Sequence, residues 1–168
     1  MFRTERLTIK PRLIDRDVER EVNWLNDPYV VQYSEQRHRK HTIESQIAYI
    51  SSFSLSNDKL LYEIRRDGIL IGSISAIIDR NNAVADMGIL IGDTFYWDQG
   101  LGSEAWNAFS AHLITDHNIR KLEAGCMALN FGMVNVAKKS GMRVEGTRPN
   151  HFLFEGVGAD LVMFGRLA

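Results

Sequence analysis

The sequence predicts an α+β fold, with one mostly antiparallel sheet of about seven strands flanked by about four helices. Three observations lead there. Asp67-Gly68 separates the runs "LLYEIRR" and "ILIGSISAII", which is the pattern of a hairpin turn between two strands. Elsewhere apolar residues recur at helical spacing, as in Leu101, Ala105, Phe109 and Leu113. The segments follow one another as β-α-α-β-β-β-α-β-α-β-β, an order that does not suit a Rossmann fold.

Each element has its own signal. "RLTIKPRL" alternates like a strand, with Leu7 and Ile9 on one face. "DRDVEREVNWLNDPYVV" reads as a helix through Val18, Val22 and Leu25, stopped by Asn26-Asp27-Pro28. Thr42 is an N-cap candidate for a second helix with Ile43, Ile47 and Ile50 as its stripe. After the hairpin and the turn "DRNN", a third strand runs from Ala83 to Gly92. The helix of Leu101–Leu113 follows, then the strand "KLEAGCMAL" and the short helix "GMVNVAKKSG", which Gly141 ends. Runs at about 144–154 and 159–167 form a terminal hairpin.

Composition narrows the function. The 168 residues suit a single domain spanning 1–168, with 45% hydrophobic and 24% charged side chains and 3 prolines. A net charge of −1 gives the whole chain no bias toward nucleic acid, so any electrostatic preference is local. A single cysteine excludes an internal disulfide framework and a cysteine-rich zinc site, which fits a cytoplasmic setting. "MFRTERLTIKPRL" lacks the apolar core of a signal peptide, and no run approaches the ~18 apolar residues of a membrane span. His38 and His41 have metal-like spacing, but no carboxylate or cysteine stands at ligand spacing beside them, so no metal is expected.

The stretch "YWDQGLGSEAW" places Gly100 and Gly102 between a strand and a helix. Free N–H groups and the positive end of a helix favour an anion there, and glycine lets a phosphate approach the backbone. The amides of Gln99, Gly100, Leu101, Gly102 and Ser103 are the candidates, with the Ser103 hydroxyl as a further donor or as a helix cap. A tight turn without a ligand explains the same glycines. The stretch is not a nucleotide P-loop, because no Gly-Lys-Ser/Thr follows.

Three ordered blocks resemble the GCN5-related N-acetyltransferase (GNAT) family, in particular the subgroup with the ribosomal-protein N-terminal acetyltransferases. They are "ADMGILIGDTFYWDQGLGSEAW", "IRKLEAGCMALNFGMVNVAKKSGMRVEG" and the terminal hairpin with Asp160; "TERLTIKPRLIDRDVE" also fits the family's opening. The resemblance covers nearly the whole chain and implies acetyl-CoA as co-substrate. Its pyrophosphate would lie on the amides of residues 99–103, and its pantetheine arm would run beside Ile89, Leu90 and Ile91. Asn130 matches the family's pantetheine-contacting Asn, although a turn or helix cap explains it equally. The chain departs from the family at Trp97, which opens the loop, and at Met133, whose thioether cannot donate a proton to the leaving thiolate.

Direct attack of an amine on the thioester needs a base within reach and a donor for the oxyanion. The resemblance implies Asp86 as base candidate and the Ile89 backbone N–H as oxyanion donor. Glu35 and His151 are weaker base candidates on segments that border the acceptor cleft. Cys126 has no visible His-Asp companion and reads as core packing, not as a nucleophile. "EQRHRKHT" concentrates cations, and Arg37 and Arg39 suit an anionic acceptor through their guanidinium forks. A solvated charged loop is the alternative. Tyr29, Tyr33 and Trp24 line an acceptor pocket or fill the core. The acceptor expected is a small-molecule amine, best a nucleotide-linked amino sugar. Protein N-termini, antibiotics and polyamines are alternatives, as is a non-catalytic acyl-CoA-binding domain. No nucleic-acid or membrane partner is expected, and a homodimer stays open.

Overall fold

The computed structural model describes residues 1–14 and 17–168. Among them the strands are β1 (Phe2–Arg3), β2 (Thr8–Pro11), β3 (Lys59–Arg66), β4 (Ile69–Asp79), β5 (Val84–Ile91), β6 (Lys121–Met127), β7 (Arg143–Phe154) and β8 (Val157–Leu167). The helices are α1 (Val18–Leu25), α2 (Pro28–Val31), α3 (Ile43–Ser54), α4 (Leu101–His117) and α5 (Phe131–Lys139), with 3-10 turns at Glu35–His38 and Thr94–Tyr96. The strands form one sheet in the order β1-β2-β3-β4-β5-β6-β8-β7, and among the described residues every pairing is antiparallel except β5 with β6.

The α+β expectation holds, with more small elements than periodicity could find. β1 has two residues and α2 a single turn, both too short to show a period. Asn26 ends α1 as expected, but Asp27 then accepts from the Tyr29 N–H and Pro28 takes the first helical position, so the helix restarts instead of stopping. The expected start of α1 at residues 15 and 16 lies outside the described residues. The Thr42 hydroxyl oxygen caps α3 by accepting from the Ser45 N–H, and the Ser45 hydroxyl oxygen in turn accepts from the Thr42 N–H.

Strand alternation sorts the sheet into two faces. Ile64, Ile74, Ala76, Ala85, Met87, Leu122 and Phe164 point to one side, where α4 supplies Leu101, Ala105, Trp106, Phe109 and Leu113 to the main core. On the other side Val18, Ile50 and Leu61 form a smaller core beneath α1 and α3. Much of this second face is polar instead. Arg12, Glu21 and Glu63 are each buried to within a few per cent. Arg12 grips both Glu21 oxygens at 3.0 Å, while Lys10 and Arg65 reach Glu63 at 3.1 and 2.7 Å. Ile43, expected on the apolar stripe of α3, is exposed, and Gln46 is buried in the same helix.

Candidate functional site

The parallel pairing of β5 and β6 is short. It covers Val84–Asp86 against Lys121–Glu123, yet β5 continues to Ile91 and β6 to Met127. The two strands therefore splay apart after Asp86, leaving the β6-side edge of Gly88–Ile91 without a ladder partner among the described residues. Unpaired strand edges hold backbone donors and acceptors open for an extended ligand. A cleft of about 1010 Å³ fills the splay, with Gly88, Ile89, Leu90 and Ile91 on one wall and Asn130, Gly132 and Met133 on the other. Trp97 donates its indole N–H to the Ile91 carbonyl at 2.7 Å, which fixes the end of β5 against the loop that follows.

That loop delivers the start of α4 to the cleft. Gly100 is the N-cap in the left-handed region at φ 76°, where a side chain would be strained, and no side chain caps the helix. The first intrahelical bond recorded there runs from the Glu104 N–H to the Gly100 carbonyl. The N–H groups of Leu101, Gly102 and Ser103 have no partner among the described residues, and all three residues line the cleft. A Cβ on Gly102 would meet the Ile91 and Val136 side chains at 3.7 Å, ordinary contact distance. Ser103 does not cap the helix, leaving its hydroxyl to a ligand. Arg6 holds the loop from behind, donating to the Gln99 carbonyl at 3.0 Å and pairing with Glu104 at 2.6 Å. Desolvation opposes ionisation of Glu104, but the hydrogen bonds from Thr4 and Arg6 outweigh it and hold the carboxyl below its ordinary value.

Other expected site residues are distributed unevenly. Gln99 does not line the cleft; its side chain donates to the Phe95 carbonyl and accepts from Arg66. Asn130 is the N-cap of α5, accepting from the Met133 N–H at 3.0 Å, and it also lines the cleft. Its carbonyl oxygen is thus used by the fold, and its Nδ2 is what it can offer a ligand. In "EQRHRKHT" the run divides. Arg39, Lys40 and His41 line the cleft, whereas Arg37 donates to the Ser34 and Leu153 carbonyls and pairs with Glu35 at 2.8 Å. Arg37, paired with Glu35, therefore pins the loop to β7. His151 is exposed on β7, edge-on to Phe152, and lines no part of the cleft.

Asp86 stands on β5 opposite Ile77 and Glu123. Desolvation first and the Glu123 charge second push its carboxyl above the ordinary value. It borders a smaller cavity of about 490 Å³, which shares Tyr49, Ser75 and Gly88 with the cleft. Cys126 is buried on β6, its thiol pushed up to about 11 by burial, and it lines neither cavity. No group of three or more metal-ligating side chains stands together among the described residues. Nor is any described helix long and apolar enough to cross a membrane.

Tyr29 stacks on Trp97 with ring centroids 5.2 Å apart, both lining the cleft, and Tyr33 lines it while packing on Phe154. Trp24 is core beneath Gly92. Sequence reading passed over a further group in the cleft, namely Glu21, Gln46, Tyr49, Ser73 and Ser75. Only the period-2 alternation of "GSISA" signalled it, since Ser73 and Ser75 share the face of β4 that opposes Leu90 and Gly88.

Comparison with known proteins agrees with the fold. Residues 6–143 match the model of the acetyltransferase (GNAT) domain. The chain is similar in fold to RimL, a ribosomal-protein alpha-N-acetyltransferase solved with coenzyme A, at 19% identity and TM-score 0.87, covering 98% of this chain and 95% of that one. It is similar to spermidine N-acetyltransferase from Vibrio cholerae solved with CoA and spermine, at 18% identity and TM-score 0.86, covering 98% and 96%. It is also similar to MccE, a microcin self-immunity acetyltransferase solved with acetyl-CoA and AMP, at 18% identity and TM-score 0.82, covering 98% and 94%.

Proposed function

Because the chain belongs to the acetyltransferase (GNAT) family and is an acetyl-CoA-dependent N-acetyltransferase, we propose that it acetylates the primary amine of an anionic small molecule of the nucleotide-linked amino-sugar type. The observation that carries this reading is local charge. Arg39, Lys40 and His41 line one stretch of the cleft in a chain whose net charge is −1. A spermidine-like acceptor would meet repulsion there, whereas a phosphate would meet a fork of donors. A fold neighbour holding AMP beside acetyl-CoA adds support.

The residues present fit acetyl-CoA. The open N–H groups of Leu101, Gly102 and Ser103 suit its pyrophosphate, and the free edge of Gly88–Ile91 suits an extended amide-bearing arm. Transfer is direct in this reading, because Cys126 is shielded and its thiol stays protonated near neutrality. Asp86 is the base we infer. It shares a face of β5 with Gly88, and its raised pKa suits proton acceptance through a bridging water from the smaller cavity. The Ile89 N–H, on the splayed strand, is the oxyanion donor in this scheme.

Kinetics with a uridine-diphosphate amino sugar test the charge reading. An Arg39→Ala/Lys40→Ala variant should raise the acceptor KM about tenfold or more at low salt and leave kcat and acetyl-CoA affinity in place. The effect should shrink as ionic strength rises. An unchanged KM, or better turnover of spermidine than of the sugar nucleotide, would return the run to a solvated loop.

A further inference from the structure

We propose that Gln46, held by the buried Arg12–Glu21 pair and joined by Ser73, Ser75 and Tyr49, reads hydroxyl groups flanking the reacting amine, so that the acceptor is a polyhydroxylated amine. This deepens the reading above and rests on it for the placement of an amine acceptor in the cleft.

The starting point is the chemistry of Glu21. Arg12 donates to both of its oxygens at 3.0 Å, and Gln46 Nε2 donates to Oε2 at 3.1 Å. A carboxylate locked to a guanidinium only accepts, so the Gln46 amide must turn its nitrogen toward Glu21. The amide oxygen is then the group left over. No described residue donates to it, although Gln46 is only 6% exposed and lines the cleft. The oxygen is not one of the fully buried unpaired side-chain atoms, so it opens to the cleft, where a ligand hydroxyl can donate to an acceptor of fixed direction.

The neighbouring side chains repeat the theme. Ser73 lies opposite Leu90 and Ser75 opposite Gly88, so both hydroxyls stand on the cleft face of β4. The missing side chain of Gly88 leaves that face open, since a Cβ there would come to 3.3 Å from Ser75 Oγ. Tyr49 lines the cleft from α3 beside Ser75. Desolvation, and then the Glu21 charge, raises its phenol pKa against the easing hydrogen bond with Ser75, so it remains a donor at neutral pH. This floor therefore combines an acceptor of fixed direction with three hydroxyls, in the same cleft that Arg39 and Lys40 line. Methylene chains offer nothing to such groups, and burying them against it would leave polar atoms unpaired. Vicinal hydroxyls can both donate to Gln46 and accept from Tyr49 or the serines. A site built to bond hydroxyls rejects an analogue lacking them far more strongly than an apolar pocket rejects an added one.

The test uses three probes with acetyl-CoA: glucosamine, cyclohexylamine and a glucosamine phosphate. Intrinsic amine reactivity cancels when each probe is compared between variant and wild type. Gln46→Leu keeps the Arg12–Glu21 pair and removes the amide oxygen. It should lower kcat/KM for glucosamine by about tenfold or more and leave cyclohexylamine within about twofold. Acetyl-CoA affinity should not move. Ser73→Ala provides a second variant with a smaller loss in the same direction, whether or not Gln46→Leu folds. Equal effects on the two unphosphorylated amines, or a wild type that turns over glucosamine no better than its variants do, would overturn the proposal. The phosphate arm separates the two readings. Loss of glucosamine selectivity with no gain from the phosphate would sustain the hydroxyl floor and sink the anionic acceptor. The reverse pattern would do the opposite.

Discussion

Asp86 shows how a single residue can weigh function against stability. Its carboxyl is raised by desolvation and by Glu123, so the folded protein holds this proton more tightly than the unfolded chain does. Stability contributed by that proton is present below the unfolded pKa and is lost as pH rises through the folded one. Above that window the ionised group costs the fold. Asp86→Asn should therefore raise the melting temperature at pH 7 while cutting kcat, with acetyl-CoA affinity unchanged. The wild-type rate should climb with pH through the raised pKa, and the variant should lose that limb. A variant with the wild-type pH–rate profile would remove Asp86 from the proton path. At this scale the sequence was readable where geometry demands a residue type, as at Gly100 with its positive φ. It was unreadable where a polar residue hides in an apolar pattern. Gln46 lies between Ile43 and Ile50, and nothing in that spacing says that the amide is buried while Ile43 is exposed.

Among the elements, the splay of β5 from β6 and the open start of α4 belong together. Among the described residues, one leaves a strand edge free, the other leaves three N–H groups free, and both line the same cleft. Gly102 is the point where this can be tested, because the Cβ of an alanine there meets Ile91 and Val136 at ordinary contact distance, and a valine extends further toward the approaching phosphate. Gly102→Val should fold and lose the thermal stabilisation by acetyl-CoA, which for wild type amounts to about 2.7 kcal/mol at a ligand concentration of 100 Kd. Gly102→Ala serves as the control for helix propensity. Undiminished stabilisation in a folded Gly102→Val would move the pyrophosphate elsewhere. The helix and its glycines were legible from sequence because caps and periodicity are local signals. The splay was not, since the number of paired residues between two strands distant in the chain depends on tertiary packing. The division of the cationic run was equally hidden. Arg37 turns to the Leu153 carbonyl, a contact across 116 residues, while Arg39 turns to the cleft.

Across the whole molecule, the two faces of the sheet are stabilised by different means. The α4 face is apolar, with Trp106, Phe109 and Leu113 fully buried. The α1–α3 face depends on ion pairs that link β2, β3 and α1, with Arg12 at their centre and Gln46 at the edge that opens into the cleft. Removing Arg12 leaves the buried Glu21 carboxylate without its guanidinium, while Glu63 keeps Lys10 and Arg65. Arg12→Met should accordingly cost about 3–5 kcal/mol. Arg12→Met/Glu21→Leu should recover part of that loss, because the orphaned carboxylate is gone and an apolar side chain replaces it. The double variant separates stability from selectivity. With Glu21 absent, nothing fixes the direction of the Gln46 amide, so the protein should regain stability and still fail to favour glucosamine over cyclohexylamine. Denaturant unfolding together with the paired-probe assay checks both halves. If the double variant were restored in stability and also kept wild-type selectivity, the buried pair would be scaffolding alone, without influence on what the cleft accepts.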